Sequence, residues 1–195
     1  MKQLRPAIVM TLLFIVLTGL IYPGIVTGIA QLIFPYQANG SLHTANGKVV
    51  GSDLIGQYWT SPRYFHGRPS ATLPPSGTAA PYAADGSAAS NLGPTSATLL
   101  KSVKDRVAQL KKENPNAPAG TVPVDLVTAS GSGLDPDISV DGALYQVPRI
   151  AGERGLSVDK VHQIVMDHMQ GKFLGLFGEP HINVLDLNLA LDAAK

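Results

Sequence analysis

The sequence has no cysteine, which removes disulfide frameworks, thiolate metal sites and cysteine nucleophiles at once and leaves the redox compartment open. Charge is scarce too. Asp, Glu, Lys and Arg make up 15% of the chain, against about a quarter in ordinary soluble domains. None of the four occurs between Arg5 and Lys48. With a net charge of +1 there is no basic footprint for nucleic acid, and no aromatic-plus-basic run suggests one. A Gly-x-Ser-x-Gly elbow and a Gly-Lys-Ser/Thr phosphate loop are also missing. Serines, aspartates and five scattered histidines remain, but no local pattern among them supports catalysis, and no catalytic residue or metal site is expected.

What the sequence does have is one long apolar run. Residues 6–34 exceed the ~20 needed to cross a hydrocarbon core as a helix, the conformation in which a single segment satisfies its own backbone in lipid. Pro23 removes an N–H near the middle, which predicts a kink. Gly19, Gly24 and Gly28 recur at four- to five-residue intervals and would let a neighbouring helix approach closely. Lys2 and Arg5 precede the run, and no charge follows it closely. The positive-inside rule therefore predicts residues 1–5 in the cytoplasm and everything after the span outside it. A cleaved signal peptide is the rival reading, because Gly28-Ile29-Ala30 has suitable small residues. Its apolar core would be about twice the usual length.

The 195 residues leave room for this anchor and one modest domain. Residues 35–93 are rich in Gly, Pro, Ser, Ala and Asn, with turn dipeptides at Asn39-Gly40, Asn46-Gly47 and Asp85-Gly86. Only Lys48–Val50 reads as a strand there, and Ser70–Ser90 has the composition of a linker. Residues 94–195 carry firmer periodicity. Leu99, Leu100, Val103, Val107 and Leu110 form a stripe on a helix opened by Pro94 and stopped at Asn114-Pro115. Val122, Val124 and Leu126 alternate as in a strand. Ser139 caps a helix that Pro148 should bend or restart and Gly155 should stop. Ser157 caps another that runs to Gly171, with His168 on its apolar stripe. A strand near 181–185 and a short helix near 187–193 complete an α+β domain with one small sheet, outside the cytoplasm.

Several motifs imitate sites. Asp137, Ser139 and Asp141 before Gly142 open like a calcium loop, yet the twelfth position is Pro148, and a helix cap explains them better. Ser130-Gly131-Ser132-Gly133 could cradle a phosphate but has Asp135 and Asp137 beside it, so a tight loop is expected. His162 and His168, six apart, do not share a helical face for a metal. Gln146 and Arg149, three apart, share a face that could hydrogen-bond a partner or ligand, or be simply solvated. From the residues alone, a membrane-tethered module binding a small ligand outside the cytoplasm stays open.

As a set these residues resemble the C subunit of the Kdp-type potassium-transporting ATPase, the KdpC family. The likeness rests on Leu4-Arg5-Pro6-Ala7, Tyr22-Pro23, Gln37 to Ser41, Gly51 to Gln57, and Tyr64-Phe-His-Gly-Arg-Pro-Ser-Ala-Thr72. It continues through Ser90 to Pro94, Val122 to Ser130, Ser132 to Asp135, Gln146-Val-Pro-Arg149, Asn183-Val184 and Leu187 to Asp192. Gln170-Gly171-Lys172 and Pro180-His181 depart from the family's commoner Glu-Gly-Arg and Pro-Arg. The resemblance implies a retained anchor in a bacterial inner membrane and an accessory, non-catalytic subunit of an ATP-driven potassium importer. Its partners would be a channel-like subunit, a P-type ATPase subunit and membrane lipid. The resemblance also implies a catalytic chaperone that raises the ATPase subunit's affinity for ATP, with Gln146 meeting the nucleotide. ATP is cytoplasmic, however, and the charge flanks put Gln146 on the other side. Gly19, Gly24, Gly28, Trp59, Tyr64, Phe65 and Arg68 are the candidates for contact with partner subunits, the aromatic and arginine members because such residues anchor interfaces. Residues 35–93 are then expected to lie over the channel-like subunit.

Overall fold

The structure, a computed structural model, describes residues 2–45, 47–72 and 81–194. Asn46 of one expected turn and residues 73–80 of the linker-like stretch lie outside the described residues. The chain divides into two compact units, residues 1–50 and 51–195.

In the first unit, helix α1 (Leu4–Val16) passes through a π-turn (Leu17–Ile21) into α2 (Tyr22–Ile33). Together they form one 30-residue helix, long and apolar enough to cross a membrane, with none of its side chains buried in the protein. At ~1.5 Å per residue it is about 45 Å long. The proline predicted to kink the span is met by the π-turn. Pro23 cannot donate to Gly19 and its ring would crowd that carbonyl; a wider turn, closed by Tyr22 N–H on Leu17 O, moves it away. A Cβ at Gly19, Gly24 or Gly28 would meet nothing within 4 Å, so the glycine surface is bare among the described residues. A short helix α3 (Pro35–Ala38) follows, then a ribbon of β1 (Leu42–Ala45) and β2 (Lys48–Ser52).

The second unit is built on two strand-to-helix joints. Strand β3 (Asp137–Ser139) runs directly into α5 (Val140–Arg154), and β4 (His181–Asn183) directly into α7 (Val184–Ala193). The strands pair antiparallel with Ile138 opposite Ile182, both buried. Each strand's last residue caps the following helix. Ser139 Oγ accepts from Gly142 N at 2.9 Å, and Asn183 Oδ1 accepts from Leu185 N at 3.0 Å. Helix α6 (Val158–Asp167) returns along α5 after Gly155, whose φ of +66° makes the left-handed turn, and Ser157 caps it. Ala143, Val147, Ile150 and Ala151 of α5, Val161 and Val165 of α6, and Leu187 and Leu191 of α7 form the centre of the core. Helix α4 (Ala97–Glu113) covers it with Leu110, Val103 and Val107.

Some expectations change. The strand expected at 122–127 is a 3₁₀ turn (Val124–Leu126). Consecutive Leu126 and Val127 are both buried while Val124 is exposed, which departs from the alternation expected of a half-buried strand. Helix α4 begins at Ala97 under a Ser96 cap, with Pro94 in the turn before it, and Leu100 points outward. Helix α5 continues through Pro148, held by buried neighbours on both sides. Helix α6 ends at Asp167, where the His168 ring reaches back to Ile164 O at 2.8 Å.

Between β2 and α4 the described residues contain no helix or strand, yet they are tied down. Ser70 Oγ donates to Gly133 O at 2.7 Å, Ala88 N to Ser132 O at 3.0 Å and Gly56 N to Leu134 O at 2.9 Å. The Ser/Gly loop weighed as a phosphate cradle thus holds this chain's own backbone. A Cβ at Gly133 would come within 2.7 Å of Ala88 O.

Candidate functional site

Among the described residues, the segment 62–66, Pro-Arg-Tyr-Phe-His, has no neighbouring strand to take up its backbone polar groups, which cannot be left bare where they are buried. Side chains of α5 and α7 take that role. Asn188 of α7 accepts from Phe65 N at 2.8 Å and donates to Phe65 O at 3.0 Å. Gln146 of α5 treats His66 the same way, accepting from its N at 2.8 Å and donating to its O at 3.1 Å. Arg149, one turn further along α5, donates to Pro62 O, to Tyr64 O at 3.1 Å, to Asn114 Oδ1 at 2.9 Å and to Gln146 Oε1 at 2.7 Å. Arg154 adds Arg63 O at 2.7 Å and Asp192 at 2.8 Å. Phe65 is thereby pinned in the core with no exposed surface.

This decides where the candidate residues stand. Gln146 is fully buried, and its amide makes four bonds, the fourth being Nε2 to Gly142 O at 3.1 Å. Four is the capacity of a carboxamide, so none is left for a ligand. Neither a ligand-facing nor a solvated Gln146–Arg149 face is found: both side chains point inward. Burial lowers the Arg149 guanidinium below its ordinary value, against Glu113 and Glu153, which raise it. Trp59, Tyr64 and Arg68 are half-buried along the same stretch. The Trp59 and Tyr64 rings lie 4.8 Å apart, Arg154 stacks over Tyr64, and the Tyr64 hydroxyl donates to Asp192 at 3.0 Å. The glycines Gly19, Gly24 and Gly28 belong to the other unit.

Beside the contacts that hold segment 62–66 is a cleft of about 300 Å³ lined by Tyr58, Trp59, His66, Arg68, Arg106 and Glu113 among others. Arg68 pairs with Asp135 at 2.8 Å. The Tyr82 hydroxyl donates to Arg68 O, and burial, with Asp135 nearby, pushes its phenol up to about 12. Among the described residues, Trp59 Nε1 and Arg68 Nε are buried donors without an acceptor. The His66 ring approaches Glu113 at 3.8 Å, but burial, then Arg149, lowers its pKa below the ordinary 6.5. The sign follows. The folded site resists a proton that the unfolded chain accepts, so stability is full above pH 6.5 and declines as pH falls below it. Unfolding midpoints of the full chain in detergent should drop between pH 7 and 5, and His66→Asn should flatten that drop.

Of the residues that hold segment 62–66, Gln146 and Arg149 stand out in the sequence as a polar pair, whereas Asn114, Asn188 and Arg154 do not. A lone Asn between Leu187 and Leu189 on an apolar helix was the available signal.

With the geometry in place, the chain can be set beside known proteins. The family model described as "K+-transporting ATPase, c chain" matches residues 4–193. A protein of Rhodopseudomonas palustris strain BisB18, named potassium-transporting ATPase KdpC subunit, is 56% identical over 201 residues, covering all of both chains. Proteins of the same name from Bradyrhizobium diazoefficiens and Sorangium cellulosum are 54% and 55% identical; the first alignment covers all of this chain and 98% of the relative, the second all of both. Matched almost from end to end by the family model and by relatives more than half identical to it, the chain belongs to the KdpC family, the c chain of the K+-transporting ATPase.

Proposed function

We propose that the chain is the non-catalytic accessory subunit of an ATP-driven potassium import complex, anchored by the Leu4–Ile33 helix with its folded unit outside the cytoplasm. Family membership over nearly the whole length carries the first part. The second rests on Lys2 and Arg5 at the N-terminal end of that helix and the uncharged residues that follow it. The saturated amide of Gln146 favours a structural role for that residue over direct contact with ATP, in keeping with the same orientation. The bare glycines Gly19, Gly24 and Gly28 offer a close-packing surface to a helix of a partner subunit, and Trp59, Tyr64 and Arg68 a contact on the folded unit.

A tagged full chain should co-purify with two large polytopic subunits. Recovery of the chain alone and monodisperse in mild detergent would overturn the assignment and favour a free ligand-binding module using the cleft. For orientation, Ser87→Cys gives the only thiol, at an exposed position. It should react with a membrane-impermeant maleimide in cells whose inner membrane is intact. Labelling that needs the inner membrane broken would reverse the topology.

A further inference from the structure

The loop at 173–177, Phe-Leu-Gly-Leu-Phe, carries four exposed large apolar side chains, a concentration unmatched among the described residues of the folded unit. Phe173, Leu174, Leu176 and Phe177 are 71%, 75%, 79% and 64% exposed, and a contiguous apolar patch of this kind on a water-facing surface marks a contact site. The loop is also closed on itself. Phe173 N donates to Phe177 O at 2.8 Å and Phe177 N to Phe173 O at 3.0 Å; Leu176 N reaches Phe173 O at 3.1 Å and Gly175 N reaches Lys172 O at 3.0 Å. Much of its backbone is therefore already satisfied and could leave water at small cost, while its side chains gain from leaving it. Leu174 has φ +52°, a conformation that disfavours a branched side chain, and the turn nevertheless keeps leucine there and points it outward. At the base, Lys172 and Glu179 pair at 3.1 Å, so charge brackets an apolar tip.

We propose that this loop is a lipid-contacting wedge, resting in the boundary between head groups and acyl chains of the bilayer that the chain's own helix crosses. Two observations favour lipid over a protein partner, and a third permits it. The tip is made of Phe and Leu with no Trp, Tyr or Arg, whereas interface anchors are enriched in those three and poor in Leu. The apolar tip over an ion-paired base matches the order of acyl chain and head group met on entering a bilayer. Reach is permitted as well: residues 34–50 join the span to the folded unit and, even fully extended, cover no more than about 60 Å, which limits how far that unit can stray from the bilayer. The wedge would limit the domain's rotation about its tether and so favour one face of it for assembly.

The chain lacks cysteine, so Leu176→Cys, at an exposed position, accepts a single environment-sensitive nitrobenzoxadiazole label without disturbing the core. The full chain is reconstituted into phosphatidylcholine–phosphatidylglycerol nanodiscs. Emission should shift to the blue relative to detergent-free peptide standards in water. It should fall at least twofold with lipids carrying a doxyl group near the head group and resist aqueous iodide. The same label in a Phe173→Ser/Phe177→Ser background should lose doxyl quenching and become open to iodide. Quenching by iodide and not by doxyl lipid would overturn the proposal. So would shielding that appears only when the two large subunits are present, which would assign the loop to a protein contact instead. Neither result bears on membership of the complex, which the co-purification tests separately.

Discussion

Gln146→Leu should destabilise the folded unit by about 3 kcal/mol, the scale set by buried donors and acceptors left unpaired. The substitution keeps volume but strips His66 N, His66 O and an Arg149 N–H of their partner at once. The Arg149 loss weighs most, because that group is charged and buried. Denaturant unfolding of the full chain in detergent would read the change. The result bears on mechanism. If Gln146 acts by holding segment 62–66, any change in the pump's apparent ATP affinity in this variant should track the fraction of folded domain. Gln146→Asn should then fail as badly as leucine, because it cannot span both His66 and Arg149. A variant with native stability and weakened ATP affinity would restore direct nucleotide contact. Gln146 and Arg149 share a bond, so a double-mutant cycle should show strong coupling, the second deletion costing less than the first.

Phe65→Ala should cost about 3–5 kcal/mol, the range for removing a buried phenyl group. Its ring has no exposed surface, and its backbone N–H and C=O are both held by Asn188, so the surroundings cannot easily collapse into the cavity. This variant separates two roles for the 59–68 stretch. Loss of complex recovery in Phe65→Ala should be accompanied by lost thermal stability. Trp59→Ala or Arg68→Ala, at half-buried positions, should weaken recovery with a smaller change in unfolding. Equal destabilisation in all three would assign the whole stretch to the domain's interior.

Much of the architecture was legible because it depends on local chemistry. Ser139 and Ser157 announced helix starts, Gly155 a stop and Pro115 a boundary, since capping groups act within a few residues of themselves. The 122–127 stretch misled because Val122, Val124 and Leu126 alternate as a strand would. Pro123 and the Asp125 carboxylate, which accepts from Ser139 N at 2.7 Å, instead favour a turn, and that partner lies 14 residues away. The stretch between β2 and α4 is the hardest to read, because its composition is that of a linker while its described residues, such as Phe65, His66, Ser70 and Ala88, are held by α5, α7 and the 130–134 loop, distant in sequence.

The sequence by itself determined the apolar span, its charge flanks, the helix caps and, through motifs spread along the chain, the family, because each is written in neighbouring residues or in identity. Only the tertiary structure decided that Gln146 and Arg149 face inward, that Asn188 joins them in place of a missing strand, and that Phe173 to Phe177 stay uncovered. Periodicity marks a helix face but not what lies against it. Whether a polar side chain on that face meets water, a ligand or the chain's own backbone depends on residues about 80 positions away.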